Sequence, residues 1–117
     1  MAAVELLAAG IQADEGAGAG VDVTAHARLV QVIDVSASDA GHEPELAVTF
    51  ETGPSAAGPW TEIRREVLNA DPMARSWGPR RVLIGEFDDF VRVRWAGRRY
   101  RGGGGPPFSF GVAGTGV

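Results

Sequence analysis

Apolar and polar residues alternate with a period of two through most of the chain. In ELAVTFET (45–52), Leu46, Val48, Phe50 and Thr52 fall on one face and Glu45, Ala47, Thr49 and Glu51 on the other, the pattern of a half-buried strand. FVRVRW (90–95) repeats it, with Val91, Val93 and Trp95 inward and Arg92 and Arg94 outward, and FSFGV (108–112) does so with Phe108, Phe110 and Val112. RLVQVIDVSA (28–37) is apolar on both faces in its first half, as in a central strand or one covered by a neighbouring chain. RRVLIGEF (80–87) is a further β-branched run, and 3–9, 21–24 and 60–67 are shorter candidates. TEIRREVLNA (61–70) is the one helix candidate, but NADPM would stop a helix at once, so strand is assigned to 60–66 and loop to 70–79.

The breaks are turn chemistry. SASDAGHEP (36–44), TGPSAAGP (52–59) and AGRRYRGGGGPP (96–107) are rich in Gly, Pro, Ser or Asp. Seven to eight short strands at this spacing predict an all-β fold, an antiparallel β-sandwich of jelly-roll-like or Ig-like type. Residues 21–117 form the single sandwich domain, and 1–20 an extended N-terminal arm or edge strand. GIQADEGAGAG (10–20) is small and glycine-rich, so the arm is expected to be mobile in an isolated chain. The expected core is Leu29, Ile33, Val35, Leu46, Val48, Phe50, Trp60, Val82, Ile84, Val91, Val93, Trp95, Phe108 and Phe110. Within it, the turn after Phe50 is read as a hairpin loop that returns Trp60 to the same face.

The 117 residues suit one domain with a sizeable core. No apolar run approaches the roughly 20 residues of a membrane-spanning helix, and the apolar start lacks the basic flank of a secretory signal. There is no cysteine, which excludes disulfides and thiolate metal sites. Charge is divided unevenly: residues 1–58 carry nine acids against Arg28 alone, whereas 59–117 carry ten arginines against six acids. Such polarity lets identical copies meet, acidic surface on arginine surface. A net charge of -4 disfavours specific nucleic acid binding.

Residues that carry chemistry are sparse. His26 and His42 stand in different loops without metal-ligand spacing, and Asp88 and Asp89 read as a solvated turn. Ser36, Ser38, Ser55, Ser76 and Ser109 lack a nucleophile elbow, and GAGAGVDV (16–23) runs into a β-type segment rather than a helix. No catalytic residue, cofactor or metal is therefore expected. The candidate site is an interface: Arg92 and Arg94 on the outward face of one strand, Arg98, Arg99, Tyr100 and Arg101 in the loop after it, and Trp77 in ARSWGPR. Local acids are few there, so the surface is expected to be of one sign. An alternative from a different class is a carbohydrate-binding sandwich that uses Trp60, Trp77, Trp95 or Tyr100 as a stacking platform.

LLAAGIQADEGAGAGVDV, ARLVQVIDVSA, PELAVTFETGPSAAGPWTEI, FDDFVRVRWA and PPFSFGVAGTGV follow one another in an order that resembles a known group. These are small β-sandwich proteins encoded among the virion structural genes of tailed bacteriophages and related prophages. They share a T-S-x-x-G-x-W turn, an aromatic-V-R-V-x-W strand and a closing phenylalanine strand that ends near A-G. Gly53 and Pro54 depart from the usual Ser-Pro or Ser-Asp, and 68–79 looks like an enlarged loop. The resemblance implies a non-enzymatic, multi-copy virion component whose partners are major capsid or connector proteins and copies of itself. It leaves open a capsid decoration protein, a head–tail connector and a tail-associated protein. The short chain, the arm and the opposed charge halves favour the capsid. No membrane partner is expected.

Overall fold

A computed structural model describes residues 2–37, 44–69, 79–99 and 109–117. They form nine strands: β1 (Ala2–Ile11), β2 (Glu15–Ala17), β3 (Val21–Asp22), β4 (Leu29–Ala37), β5 (Pro44–Gly53), β6 (Thr61–Asn69), β7 (Arg80–Ile84), β8 (Phe90–Arg99) and β9 (Ser109–Gly116). Residues 61–69 are strand rather than helix, and the strand runs three residues past the end expected at 66. One sheet runs β1-β9-β4-β7; the other runs β2-β8-β5-β6, with β3 also on β8.

The pairing is nested. β1 lies against β9, β2 and β3 against β8, β4 against β7 and β5 against β6, all antiparallel. Contacts of β4 with β9 and β5 with β8 then close the two sheets. With β2 and β3 counted as one interrupted strand, this is a long hairpin rolled into two layers, the jelly-roll arrangement.

Between the layers the period-two residues meet. Leu29 and Ile33 from β4, Leu46, Val48 and Phe50 from β5, Val82 and Ile84 from β7, Val91 and Val93 from β8, and Phe110 from β9 are all buried. The Trp95 ring meets Phe110 edge-on, with centroids 5.6 Å apart, and its indole N–H donates to the Ala13 carbonyl at 2.9 Å. Val35 is only partly buried, and Phe108 lies outside the described residues.

Trp60 departs from its expected place. Gly58 turns the chain at φ 87°, Ser55 accepts from the Ala57 amide and donates to the Gly58 carbonyl, and Trp60 emerges outside the sandwich, half-buried. The two-residue count fails there because the turn resets the strand phase. β5 departs in the opposite sense. Ala47, Thr49 and Glu51, counted as solvent-facing, are buried as well. β5 has a neighbour on each side, and the long arginine side chains around it cover its outer face.

The N-terminal segment is not a free arm in the single chain. Val4 and Leu6 of β1 are buried, and the strand follows β9 along its length with two register breaks. Small residues permit this approach: a side chain at Gly111 would press on the Ala9 backbone. Beyond β1, the Gly18 N–H donates to the Val93 carbonyl at 2.8 Å and the Gly97 N–H to the Asp14 carbonyl at 2.7 Å. The mobility expected of 10–20 therefore gives way to a different expectation. Amide exchange on the free protein is predicted to be slow at Gly18 and Gly97; random-coil rates at both would contradict the pairing.

Two polar groups sit inside the sandwich margin. Glu66, on the β6 edge, takes Arg64 at 2.9 Å and Arg80 of β7 at 3.3 Å, a charged clasp between the two sheets. Gln31 is fully buried at the centre of β4, donates to the Val4 carbonyl at 3.3 Å across Gly114, and leaves its own Oε1 without a partner among the described residues. Since an orphaned buried acceptor carries its full desolvation cost, Gln31→Met is predicted to leave stability unchanged or raise it by about 1 kcal/mol. A loss above that size, read from the urea midpoint, would show that the donor bond outweighs the orphan.

Candidate interface on the outer sheet faces

The register sets the composition of the arginine face. On the outer side of the five-stranded sheet, Arg92 lies opposite Glu51, Arg94 opposite Thr49, and Arg98 opposite Glu45. Glu51 accepts a 2.9 Å bond from Arg92 Nε and stands 3.5 Å from Arg94 Nε, with its own side chain only 9% exposed. β6 adds Glu62 and Arg65 to a shallow hollow shared with Thr49 and Arg94. The surface is thus charge-mixed rather than of one sign. The sequence count failed because Glu51 stands 41 residues from Arg92 and only strand pairing brings them together.

Glu51→Ala is predicted to cost about 1–2 kcal/mol, because it removes a charge-assisted bond on a half-covered surface and strands two guanidiniums. The urea midpoint measures it, and an unchanged midpoint would mean that solvent already screens the pair.

The remaining candidates are dispersed. The Trp60 ring carries the Arg92 guanidinium 4.6 Å from its centroid and packs near Gly20 and Gly53, so a face that a sugar would need is already covered. Trp95 is 7% exposed and belongs to the core. Arg99 ends β8 opposite Pro44. Trp77, Tyr100, Arg101 and His42 lie outside the described residues. His26 packs beside Gly116. The exposed Asp88 and Asp89 belong to a turn pinned through its backbone, where the Asp88 N–H donates to Thr52 Oγ1 at 2.7 Å and the Asp89 carbonyl accepts from Val23. Asp22 accepts from the Thr24 N–H and hydroxyl, which hold its carboxyl below the usual carboxylate range. Among the described residues no three of His, Cys, Asp and Glu gather as metal ligands.

The other outer face was not singled out by sequence. On the four-stranded sheet, Val30 and Val32 of β4 point away from the core, beside Thr115 and Ala113 of β9. Leu83 of β7, next to Val30, is 56% exposed. A groove of about 220 Å³ runs over β9, floored by Gly111 and Ala113 and walled by Leu7 and Ala9 on one side and Val32 on the other. Glu5 and Asp34 stand at its rims. The signal was present in RLVQVIDVSA, whose apolar outer positions a central location in the sheet does not by itself cover.

No family model, curated protein or solved structure matches the chain.

Proposed function

We propose that this chain is a structural, non-enzymatic component of a tailed-phage virion, a capsid decoration protein that binds the head in many copies. The observation that carries the reading is the uncovered apolar face of the four-stranded sheet, with Val30, Val32, Leu83 and Ala113 presented together. Antiparallel sheets that meet water on one side normally alternate polar residues outward, so an apolar outer face marks a surface that a further chain covers in an assembly, a second copy included. The resemblance to phage sandwich proteins supplies the setting, and jelly rolls recur in viral shells. Fold alone does not fix a function, so the setting needs its own test. Peptide mass spectrometry on gradient-purified particles from the strain that encodes the chain, with heads and tails separated, is that test. The chain is expected in the head fraction at high copy number. Its absence from particles would remove the virion reading, and recovery with tails would move it to another station.

A further inference from the structure

The apolar face carries a pattern of its own. The register places Leu83, Val30, Thr115 and Ala3 in one row across β7, β4, β9 and β1. The next row, in the same strand order, is Arg81, Val32, Ala113 and Glu5. Each row runs from a large side chain at the β7 edge to a small or acidic one at the β1 edge. Arg81 and Glu5 are exposed, and among the described residues neither has an ion partner.

We infer that this face binds a second copy of the same chain, sheet against sheet, about a two-fold axis parallel to the strands and between β9 and β4. Such an axis reverses the strand order but keeps each row in place. β1 of one copy lies over β7 of the other, so Glu5 meets the second copy's Arg81 and the contact occurs twice. In the same operation Val32 lies over Ala113 and Leu83 over Ala3, large on small, and Val30 lies over Thr115, a side chain of nearly equal size. An isologous contact requires this self-complementarity, which an arbitrary apolar face lacks. Sheets packed face to face cross at about 30°, and strands lie about 4.8 Å apart, so the outermost strands are displaced by about 4 Å. Arginine and glutamate side chains span that displacement. The acidic and arginine halves of the chain thus meet through Glu5 and Arg81 rather than through the Arg92–Arg94 stripe, whose nearest carboxylate is in its own sheet.

The inference rests on the assembly reading for its premise that the face is covered, but its test needs no particle. Light scattering of the purified full-length protein reads the mass directly, across concentration at physiological salt. The parent is expected at twice the 12.2 kDa chain mass. Val32→Arg and Ala113→Arg are expected to give monomers with unchanged circular dichroism. Glu5→Arg alone is expected to weaken the dimer about tenfold, and Glu5→Arg with Arg81→Glu to restore it, because the double reversal rebuilds both pairs. Three results would each overturn the inference: a monomeric parent, a dimer that survives both arginine insertions, or a double reversal no tighter than the single one. A monomeric parent that is nonetheless abundant in particles would overturn the self-association and leave the virion reading standing. A dimer missing from particles would do the reverse.

Discussion

Phe50→Ala is expected to lower the unfolding free energy by about 3–5 kcal/mol. Phe50 is fully buried in β5, the strand flanked by β6 and β8, and its neighbour across the pair is the equally buried Val93. Removing the ring there loses its transfer free energy and opens a cavity that two hydrogen-bonded neighbours prevent from collapsing. Domains of this size hold about 5–15 kcal/mol in total, so the variant should be partly unfolded at 37 °C. The urea midpoint is the measurement. A variant with the parent's midpoint would mean that the inward phase of β5 is wrong, and with it the pairing of both its neighbours.

Gly114→Val is expected to cost about 3 kcal/mol or more, for the opposite reason. Gly114 lies in the row between Gln31 of β4 and Val4 of β1. A side chain there would collide with the Val30 carbonyl oxygen, which is rigid backbone and cannot turn aside. It would also block the path by which Gln31 reaches the Val4 carbonyl. Both the midpoint and the protection of β1 amides should fall, with β1 released first because it is the edge strand. An unchanged midpoint would contradict the close passage of the β9 and β4 backbones at this row.

These two sites mark what was legible in the sequence. Phe50, Val48 and Leu46 announce their face by alternation, a local property that any strand on one core must show. The same holds for Val91, Val93 and Trp95, and it made the sandwich readable. Partners are another matter. Nothing local places Glu51 under Arg92 and Arg94, because register is set by strands distant in sequence. The arginine stripe therefore looked unpaired when it is not. Trp60 was misplaced because alternation cannot be counted through a turn at positive φ. The first twenty residues read as an arm or an edge strand, and alternation could not decide between them because Ala and Gly carry little side-chain signal. Yet small residues are what let β1 lie close against Gly111 of β9, as Gly114 does for β4. The jelly-roll order lies in which strands pair, a non-local fact that follows once β1 is known to take β9. The candidate face had one visible trace, the apolar outward positions of β4.

The question left for experiment is which face holds the chain in an assembly, and copies per purified particle answer it. Three proteins are to be compared: the parent, Val32→Arg, and the fourfold replacement of Arg92, Arg94, Arg98 and Arg99 by glutamine. All should be of intact fold by circular dichroism, and each is to be counted at low and at high salt. If the apolar face of the four-stranded sheet is the contact, Val32→Arg loses most of its occupancy at both salts, while the fourfold variant stays near the parent. Full occupancy of Val32→Arg, with a salt-dependent loss confined to the fourfold variant, would contradict this and return the interface to the arginine stripe.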